Sequence, residues 1–277
     1  MAEQIWDSFA RLNAGERFNR QSAEMGAAAT EAVVQEAQLV PGMRVLDVAC
    51  GAGEPAISIA ARLNGSGEVV GADLSAGPLE VARTRAAKRG LKNLQFVQAD
   101  VHALPFADAS FDRVTSRLGV MFFSDLPLAL REMHRVLKPG GRIALLAWGA
   151  MEQPYLQMTI GTARKLRPEL EVPDSARLMF KFGVPGTLAA ALESAGFVGA
   201  ADPVRALRWD WHGSPEELWD YFRSVTVPFR ALLDRLEGDA EVQGAVLAAM
   251  RERYDGEYVR IEAQMVVATA AKAGGQN

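Results

Sequence analysis

The stretch VLDVACGAGEPA (45–56) decides the architecture. An apolar run closes on a Gly-rich turn and an amphipathic stretch follows, so a strand enters a tight turn and leaves it as a helix. Gly51 and Gly53 supply a backbone that turns sharply and lets a ligand approach with no Cβ in its path. Taken alone, Gly51-x-Gly53-x-x-Ala56 also fits the dinucleotide-binding turn, so the neighbouring residues must identify the ligand.

The same texture continues on the C-terminal side of this turn. MRVLDVAC (43–50) is a strand and Glu54–Leu63 a helix; EVVGAD (68–73) is a second strand and Ala76–Arg89 a second helix. LQFVQAD (94–100), FDRVTSRLG (111–119) and GRIALLAW (141–148) read as three further strands. Before the last of them, Leu126, Leu130, Met133 and Leu137 follow a helical spacing that Pro139-Gly140-Gly141 ends. Strands alternating with helices imply a parallel sheet, because each parallel pair needs a crossover and the crossovers are right-handed. Ligands then bind beyond the carboxyl ends of the strands.

On the N-terminal side, Val33, Ala37 and Val40 follow a helical pattern, so residues 1–40 read as a helical arm and 41–150 as the core. After Ala150 the alternation breaks. Residues 151–184 and 211–256 read as inserts that cap the strand ends, the second with three helices, and 185–210 and 257–270 return to the sheet. Within that return, TLAAALESAGF (187–197) reads as helix, Val204–Trp209 as a strand and YVRIEAQMVVATA (258–270) as the last strand. With no internal repeat or low-complexity linker, the expectation is one doubly wound α/β domain.

Composition narrows the class. Of 277 residues, 49% are hydrophobic and 23% charged, the balance of a globular protein with a large core. The net charge of −4 gives no bulk attraction to nucleic acid or anionic lipid. A single cysteine, Cys50, rules out an internal disulfide. The start, MAEQIWDSFARL, lacks a basic segment followed by an apolar one, and the longest apolar run, Ile143–Met151, is too short to span a bilayer, so the expectation is a cytoplasmic protein with no membrane span.

Three carboxylates set the ligand. Asp47 lies near the end of the first strand, where a buried anion needs a donor or a cation beside it. A pyrophosphate would be repelled there, whereas a ligand carrying an ammonium and a sulfonium would be attracted. Asp73 ends the second strand, where a carboxylate accepts both hydroxyls of a ribose, a requirement shared by NAD and S-adenosylmethionine. Asp100 ends the third and is placed to accept from an adenine amino group.

With these residues in view, VLDVACGAG, GADLS, QADVHALPFADASFD and REMHRVLKPGGRIALLAW, in this order, resemble the class I S-adenosylmethionine-dependent methyltransferases, particularly the ubiquinone/menaquinone methyltransferase branch. The resemblance is strong over about residues 40–150 and weak elsewhere. It implies a Rossmann-like, mostly parallel seven-stranded sheet and S-adenosylmethionine as cofactor, with no metal. By position it puts Asp47 and Gly51 at the methionine moiety, with Gly53 in the same turn. It puts Asp73 and Leu74 at the ribose and its surroundings, Asp100 with the Val101 N–H at adenine, and a backbone carbonyl of Ser116 or Arg117 at the amino group. Pro55 departs from many relatives at the helix start, a place where proline is tolerated.

Several other residues carry a functional and a bland reading. Cys50, in a tight turn, reads as a small packed residue, His134 as structural and His102 as a wall of the cofactor pocket. His212 lies in WDWHGSPEELWDYF, among Trp209, Trp211, Trp219 and Tyr221, and is the candidate catalytic base, although SPEEL beside it is an ordinary capped helix start. Arg117, Met121, Phe122, Phe123, Trp148 and Tyr155 lie where acceptor pockets form, each also readable as core. The basic run Arg83, Arg85, Lys88, Arg89 and Lys92 has little aromatic interleaving and reads as a solvated helix face, which disfavours a nucleic-acid substrate. The leading function is methyl transfer to a small, partly apolar acceptor of aromatic or isoprenoid-like character. An NAD-dependent oxidoreductase and a non-catalytic S-adenosylmethionine binder are the rivals, and oligomeric state is left open.

Overall fold

The computed structural model describes residues 17–274 of the chain. Part of the N-terminal arm and the MAEQIWDSFARL start therefore lie outside the described residues. In chain order the principal elements are α1 (Asn19–Met25), α2 (Ala27–Glu36), β1 (Arg44–Val48), α3 (Ala56–Leu63), β2 (Glu68–Asp73), α4 (Ala76–Lys88), β3 (Leu94–Gln98), β4 (Phe111–Arg117), α5 (Leu126–Val136) and β5 (Leu137–Trp148). There follow α6 (Thr187–Ser194), β6 (Val198–Ala201), β7 (Val204–Arg208), β8 (Trp211–His212), α7 (Pro215–Val225), α8 (Arg230–Arg235), α9 (Ala240–Arg251), β9 (Tyr258–Val259) and β10 (Glu262–Ala271).

The strands run β3-β2-β1-β4-β5-β10-β6, with β7 also paired to β10, an eight-stranded sheet. β1, β2, β3, β4 and β5 are parallel, and β10 runs antiparallel to β6. The order reverses beside β1, whose neighbours are β2 and β4, so the Gly-rich turn after β1 sits at the switch point where open α/β sheets bind ligands. The expected seven strands become eight because Val198–Ala201 forms the edge strand β6. Its sequence, VGAA, is too short and too poor in β-branched residues to announce itself.

Two further expectations are corrected. The last strand is not continuous over 258–270: it breaks at Arg260, so that β9 pairs with β8 in a separate two-stranded antiparallel sheet while β10 joins the main sheet. The Pro139-Gly140-Gly141 segment does not lie between helix and strand. Helix α5 ends at Val136 and β5 starts at Leu137, with the register slipping between the Phe111–Leu137 and Arg113–Arg142 pairs. The Gly140 N–H donates to Lys272 O and the Lys272 N–H to Gly141 O, so the segment is pinned as an irregular part of the strand.

The described chain falls into two compact units. One, the sheet unit, comprises 29–147, 184–204 and 266–274; the other, the helical unit, comprises 17–28, 148–183 and 205–265. Inside the sheet unit, Val45, Ile59, Ala60, Leu63, Val69 and Leu79 pack β1, β2, α3 and α4 together, and Cys50 belongs to this core as a small packed residue. The helical unit is built on aromatic contacts. Trp148 stacks on Tyr155 with ring centroids 5.8 Å apart and meets Trp209 edge-on at 5.2 Å, while Tyr155 meets Phe222 edge-on at 5.8 Å. The start of α7 has the capping box its sequence announces, with Ser214 and Glu217 satisfying each other's backbone N–H. Among the described residues no helix is long and apolar enough to cross a membrane.

Candidate cofactor site

The site is built at the tips of β1, β2 and β4. Asp47 is fully buried, with Oδ2 accepting from the Ala56 N–H at 3.0 Å and Oδ1 from Thr115 Oγ1 at 2.8 Å. One carboxyl thus ties β1 to the first turn of α3 and to β4. Burial pushes it up to about 7, against the lowering influence of those two donors and of Arg117. Arg117 in turn donates from Nη1 to Thr30 Oγ1 on α2 at 2.8 Å.

Asp73 organises the turn itself. Its Oδ2 accepts from the Gly51 N–H at 2.8 Å and its Oδ1 from the Ser75 N–H at 2.9 Å. Each oxygen therefore has a backbone donor fixing it. Gly51 has φ of +53° and Gly53 of +108°, so the turn needs residues that occupy the left-handed region freely. A Cβ on Gly51 would meet nothing within 4 Å, whereas one on Gly53 would strike Ile57 Cδ1 at 2.5 Å. The first glycine faces open space and the second faces core.

Ala49 and Leu118, which follow β1 and β4, are also left-handed, with φ of 56° and 62°. These strands are neighbours, so the two strained residues lie at adjacent strand tips, the kind of place where strain gathers at ligand sites. Gly119 is required between them, since a Cβ there would lie 2.5 Å from Ala49 Cβ and 2.8 Å from Ser116 Oγ. Ser116 is fully buried and its hydroxyl has no hydrogen-bond partner. Leu74 is 43% exposed beside Asp73, an apolar surface left uncovered at the end of β2.

Asp100 and His102 form the third part. The Asp100 Oδ1 accepts from the His102 N–H at 2.9 Å and lies 2.6 Å from His102 Nδ1. The backbone bond from His102 holds the Asp100 carboxyl below its ordinary range. His102 Nε2 accepts from the Asp125 N–H at 3.2 Å, which assigns the ring proton to Nδ1, donating to Asp100. His102 therefore joins the turn after β3 to the loop after β4. Val101, between the two, is buried.

The structure thus brings Asp47, Gly51, Gly53, Asp73, Leu74, Ser116 and Arg117 to neighbouring strand tips in the sheet unit, with Asp100 and Val101 after β3. His212 belongs to the helical unit, where its Nδ1 lies 2.8 Å from Glu24 Oε2 and its ring stacks on Tyr258 at 4.7 Å. His134 meets Phe197 edge-on at 4.9 Å, in keeping with a packing role. The basic run on α4 is not simply solvated. Arg85 donates to Ala52 O at 3.2 Å and Arg89 lies 3.6 Å from Glu54, so two of its members hold the Gly-rich turn. Thr115 was equally silent in the sequence; a hydroxyl one strand away from a buried Asp was the only available signal.

These residues fit an adenosyl ligand with a cationic end. The open side of Gly51 leaves room for a ligand against the backbone, and Asp73 presents a carboxylate already aligned by two N–H groups. Leu74 offers an apolar face. A pyrophosphate finds no match at a turn flanked by Asp47 and Asp73.

Comparison with known proteins agrees with the geometry. A family model described as a methyltransferase domain matches residues 39–167. An uncharacterized protein of Mycobacterium tuberculosis is 35% identical over 224 residues, 80% of this chain and 76% of that protein. The ubiquinone/menaquinone biosynthesis C-methyltransferase of Xanthomonas oryzae is 46% identical over 125 residues, which are 45% of this chain and 49% of that enzyme. Among solved structures, the YcgJ protein of Bacillus subtilis aligns over 89% of this chain and 99% of its own with a TM-score of 0.56 at 22% identity. A phosphoethanolamine N-methyltransferase of Haemonchus contortus, in complex with phosphomonomethylethanolamine and S-adenosylhomocysteine, aligns over 99% of this chain and 61% of its own, with a TM-score of 0.62 at 18% identity. The fold is that of the Rossmann-like methyltransferases. The chain belongs to the class I S-adenosylmethionine-dependent methyltransferases, and its cofactor is S-adenosylmethionine.

Proposed function

We propose that this methyltransferase acts on a small, partly apolar acceptor of aromatic or isoprenoid-like character. We propose also that Asp73 and Leu74 hold the ribose side of the cofactor, Asp100 and the Val101 N–H its adenine, and Asp47, Gly51, Gly53 and the Ser116–Arg117 backbone its methionine side. The observation that carries the site assignment is the double anchoring of Asp73 by Gly51 and Ser75, which aims a carboxylate beside a turn with an open face. The acceptor class is supported by the 46% identity to a ubiquinone/menaquinone C-methyltransferase, confined to about half of each chain, and by the aromatic make-up of the helical unit. To that unit, with its two stretches 148–183 and 205–265, we assign acceptor recognition.

When bound, the cofactor supplies a methyl group already activated by a sulfonium. The protein's part is to align donor and acceptor and to exclude water. Because the sulfonium charge disappears in the transition state, anionic groups close to sulfur would favour the ground state. Asp47, Asp73 and Asp100 satisfy that restriction if they serve the ammonium, ribose and adenine. Where the acceptor must lose a proton, His212 is the base we propose. Glu24 at Nδ1 is its orienting carboxylate, and Nε2 lies 3.6 Å from Glu257, outside hydrogen-bonding distance, so that nitrogen takes the proton.

Calorimetry with S-adenosylhomocysteine tests the cofactor assignment. Wild-type protein should bind, and Asp73→Ala should weaken binding by at least about tenfold, the loss of one charge-assisted bond. Unchanged affinity in Asp73→Ala would refute it. Incubation with labelled S-adenosylmethionine and a panel of quinols, phenols and polar amines tests the acceptor class, and label entering only the amines would overturn it.

A further inference from the structure

We infer that Arg85, on the outer helix α4, is a positioning residue for the Gly-rich cofactor turn, with Arg89 as a weaker second contact. The inference rests on the assignment of the 51–56 turn to the cofactor. Within that turn most polar backbone groups are satisfied locally or by Asp73. The Gly53 N–H donates to Cys50 O at 2.9 Å, the Ile57 N–H to Gly53 O at 2.7 Å, and the Gly51 N–H to Asp73. Ala52 O projects between two glycines and takes its bond from Arg85 Nη1 at 3.2 Å, across 33 residues of sequence. The 52–53 peptide is thus held on both sides, its N–H by Cys50 O and its carbonyl by the Arg85 guanidinium, and because Gly53 has no Cβ to restrict its φ, the charge-assisted bond from outside adds a second restraint to the local one.

Arg89 caps the C-terminal end of α4 four residues after Arg85 and keeps helical backbone angles, so the two share a face, and that face meets the turn. Their weights differ. Arg89 is 56% exposed and lies 3.6 Å from Glu54, whose other oxygen is taken by Ser58 Oγ at 2.6 Å; a screened surface pair of this kind contributes little. Arg85 is half-buried and bonds the backbone directly. Its neighbour Arg83, on the same helix, donates instead to Glu80 and Phe96 O and makes a built-in control. The consequence for the ligand follows from the Gly51–Asp73 bond: an unfixed turn also loosens the carboxylate assigned to the ribose.

The test uses the full chain and two readouts. Arg85→Met should leave the melting temperature of the free protein nearly unchanged and should speed hydrogen exchange at the amides of 51–57. It should weaken S-adenosylhomocysteine binding about fivefold to tenfold, with Arg85→Lys recovering part of both effects. Arg83→Met should do neither. If Arg85→Met does not fold, Arg85→Gln, which keeps a donor of shorter reach, is measured in its place. Wild-type exchange at 51–57 in a folded Arg85 variant, or equal effects of the Arg83 and Arg85 substitutions, overturns the inference. Faster exchange together with no binding by the wild-type protein would leave Arg85 holding the turn and would refute the cofactor assignment instead.

Discussion

Arg113 and Arg142 stand directly opposite each other on the neighbouring parallel strands β4 and β5, and both guanidinium groups end on the C-terminal carbonyls of α2. Arg113 donates to Ala37 O and Gln38 O, and Arg142 to Glu36 O at 2.7 Å and to the Glu36 carboxylate at 3.1 Å. Two like charges side by side would repel. The partial negative charge of a helix C-terminus and one carboxylate neutralise them. Because α2 also carries Thr30, the partner of Arg117, this clasp fixes the helix that reaches the carboxyl end of β4.

Arg113→Ala and Arg142→Ala should each destabilise the fold by about 1–3 kcal/mol, the range for hydrogen bonds to charged groups. The double variant should lose less than the sum, since either substitution alone already frees the end of α2. Denaturant unfolding of the four proteins in the cycle measures this, and strict additivity would show that the two arginines act independently.

A pH dependence follows from Asp47. Its carboxyl titrates near 7 in the folded protein, because burial disfavours the charge, and near 3.8 when unfolded. Between these values the native state holds a proton that the unfolded chain has released. The contribution of Asp47 to stability is therefore complete below about pH 4, falls as pH rises towards 7 and is level above it. Asp47→Asn keeps an oxygen for the Ala56 N–H and an amide for Thr115, whose hydroxyl can reverse its role. Unfolding free energies measured from pH 4 to 8 should fall with pH less steeply in Asp47→Asn than in the wild type. Parallel curves would mean that Asp47 does not titrate in that window.

His102 supplies a prediction about the side we assign to adenine. Its two ring nitrogens join Asp100 to the backbone of Asp125. His102→Ala should leave Asp100 with one donor fewer and the loop after β4 without an anchor. S-adenosylhomocysteine binding should weaken by about threefold to tenfold, whereas His134→Ala, at a histidine packed on Phe197, should leave affinity unchanged. Isothermal titration separates the two, and equal losses would deny His102 a specific role.

The cofactor half of the chain was legible because its signals are local. A strand, a glycine turn and an acidic strand end recur within a few residues of one another, and VLDVACGAG, GADLS and QADV fall where the structure has β1, β2 and β3 with their tips. What the sequence concealed are contacts between distant segments. Nothing in the basic run on α4 distinguishes Arg85, which reaches Ala52, from Arg83, which does not, because only the packing of α4 beside β2 and β3 decides it. Thr115, Arg113 and Arg142 were hidden for the same reason. The edge strand β6 and the break at Arg260 were missed because pairing with β10 and β8, rather than local propensity, creates them. His212 could be found as a histidine among aromatics, but its partner Glu24 lies 188 residues away.

The two glycines of the turn make opposite predictions that separate folding from binding. Gly53→Ala places a Cβ 2.5 Å from Ile57 Cδ1 and 3.3 Å from Ala82 Cβ, on a backbone with φ of +108° that an alanine resists. Overpacking and backbone strain should together lower stability by about 2–4 kcal/mol. Gly51→Ala meets no neighbour, and its φ of +53° lies in the left-handed well that alanine occupies at a cost of about 1 kcal/mol. Its methyl group, however, projects into the space assigned to the cofactor. Thermal unfolding should therefore show the larger loss in Gly53→Ala, while S-adenosylhomocysteine binding, measured on folded protein, should fall by more than about tenfold in Gly51→Ala. A Gly51→Ala protein that binds as tightly as wild type would place the ligand elsewhere than against this turn.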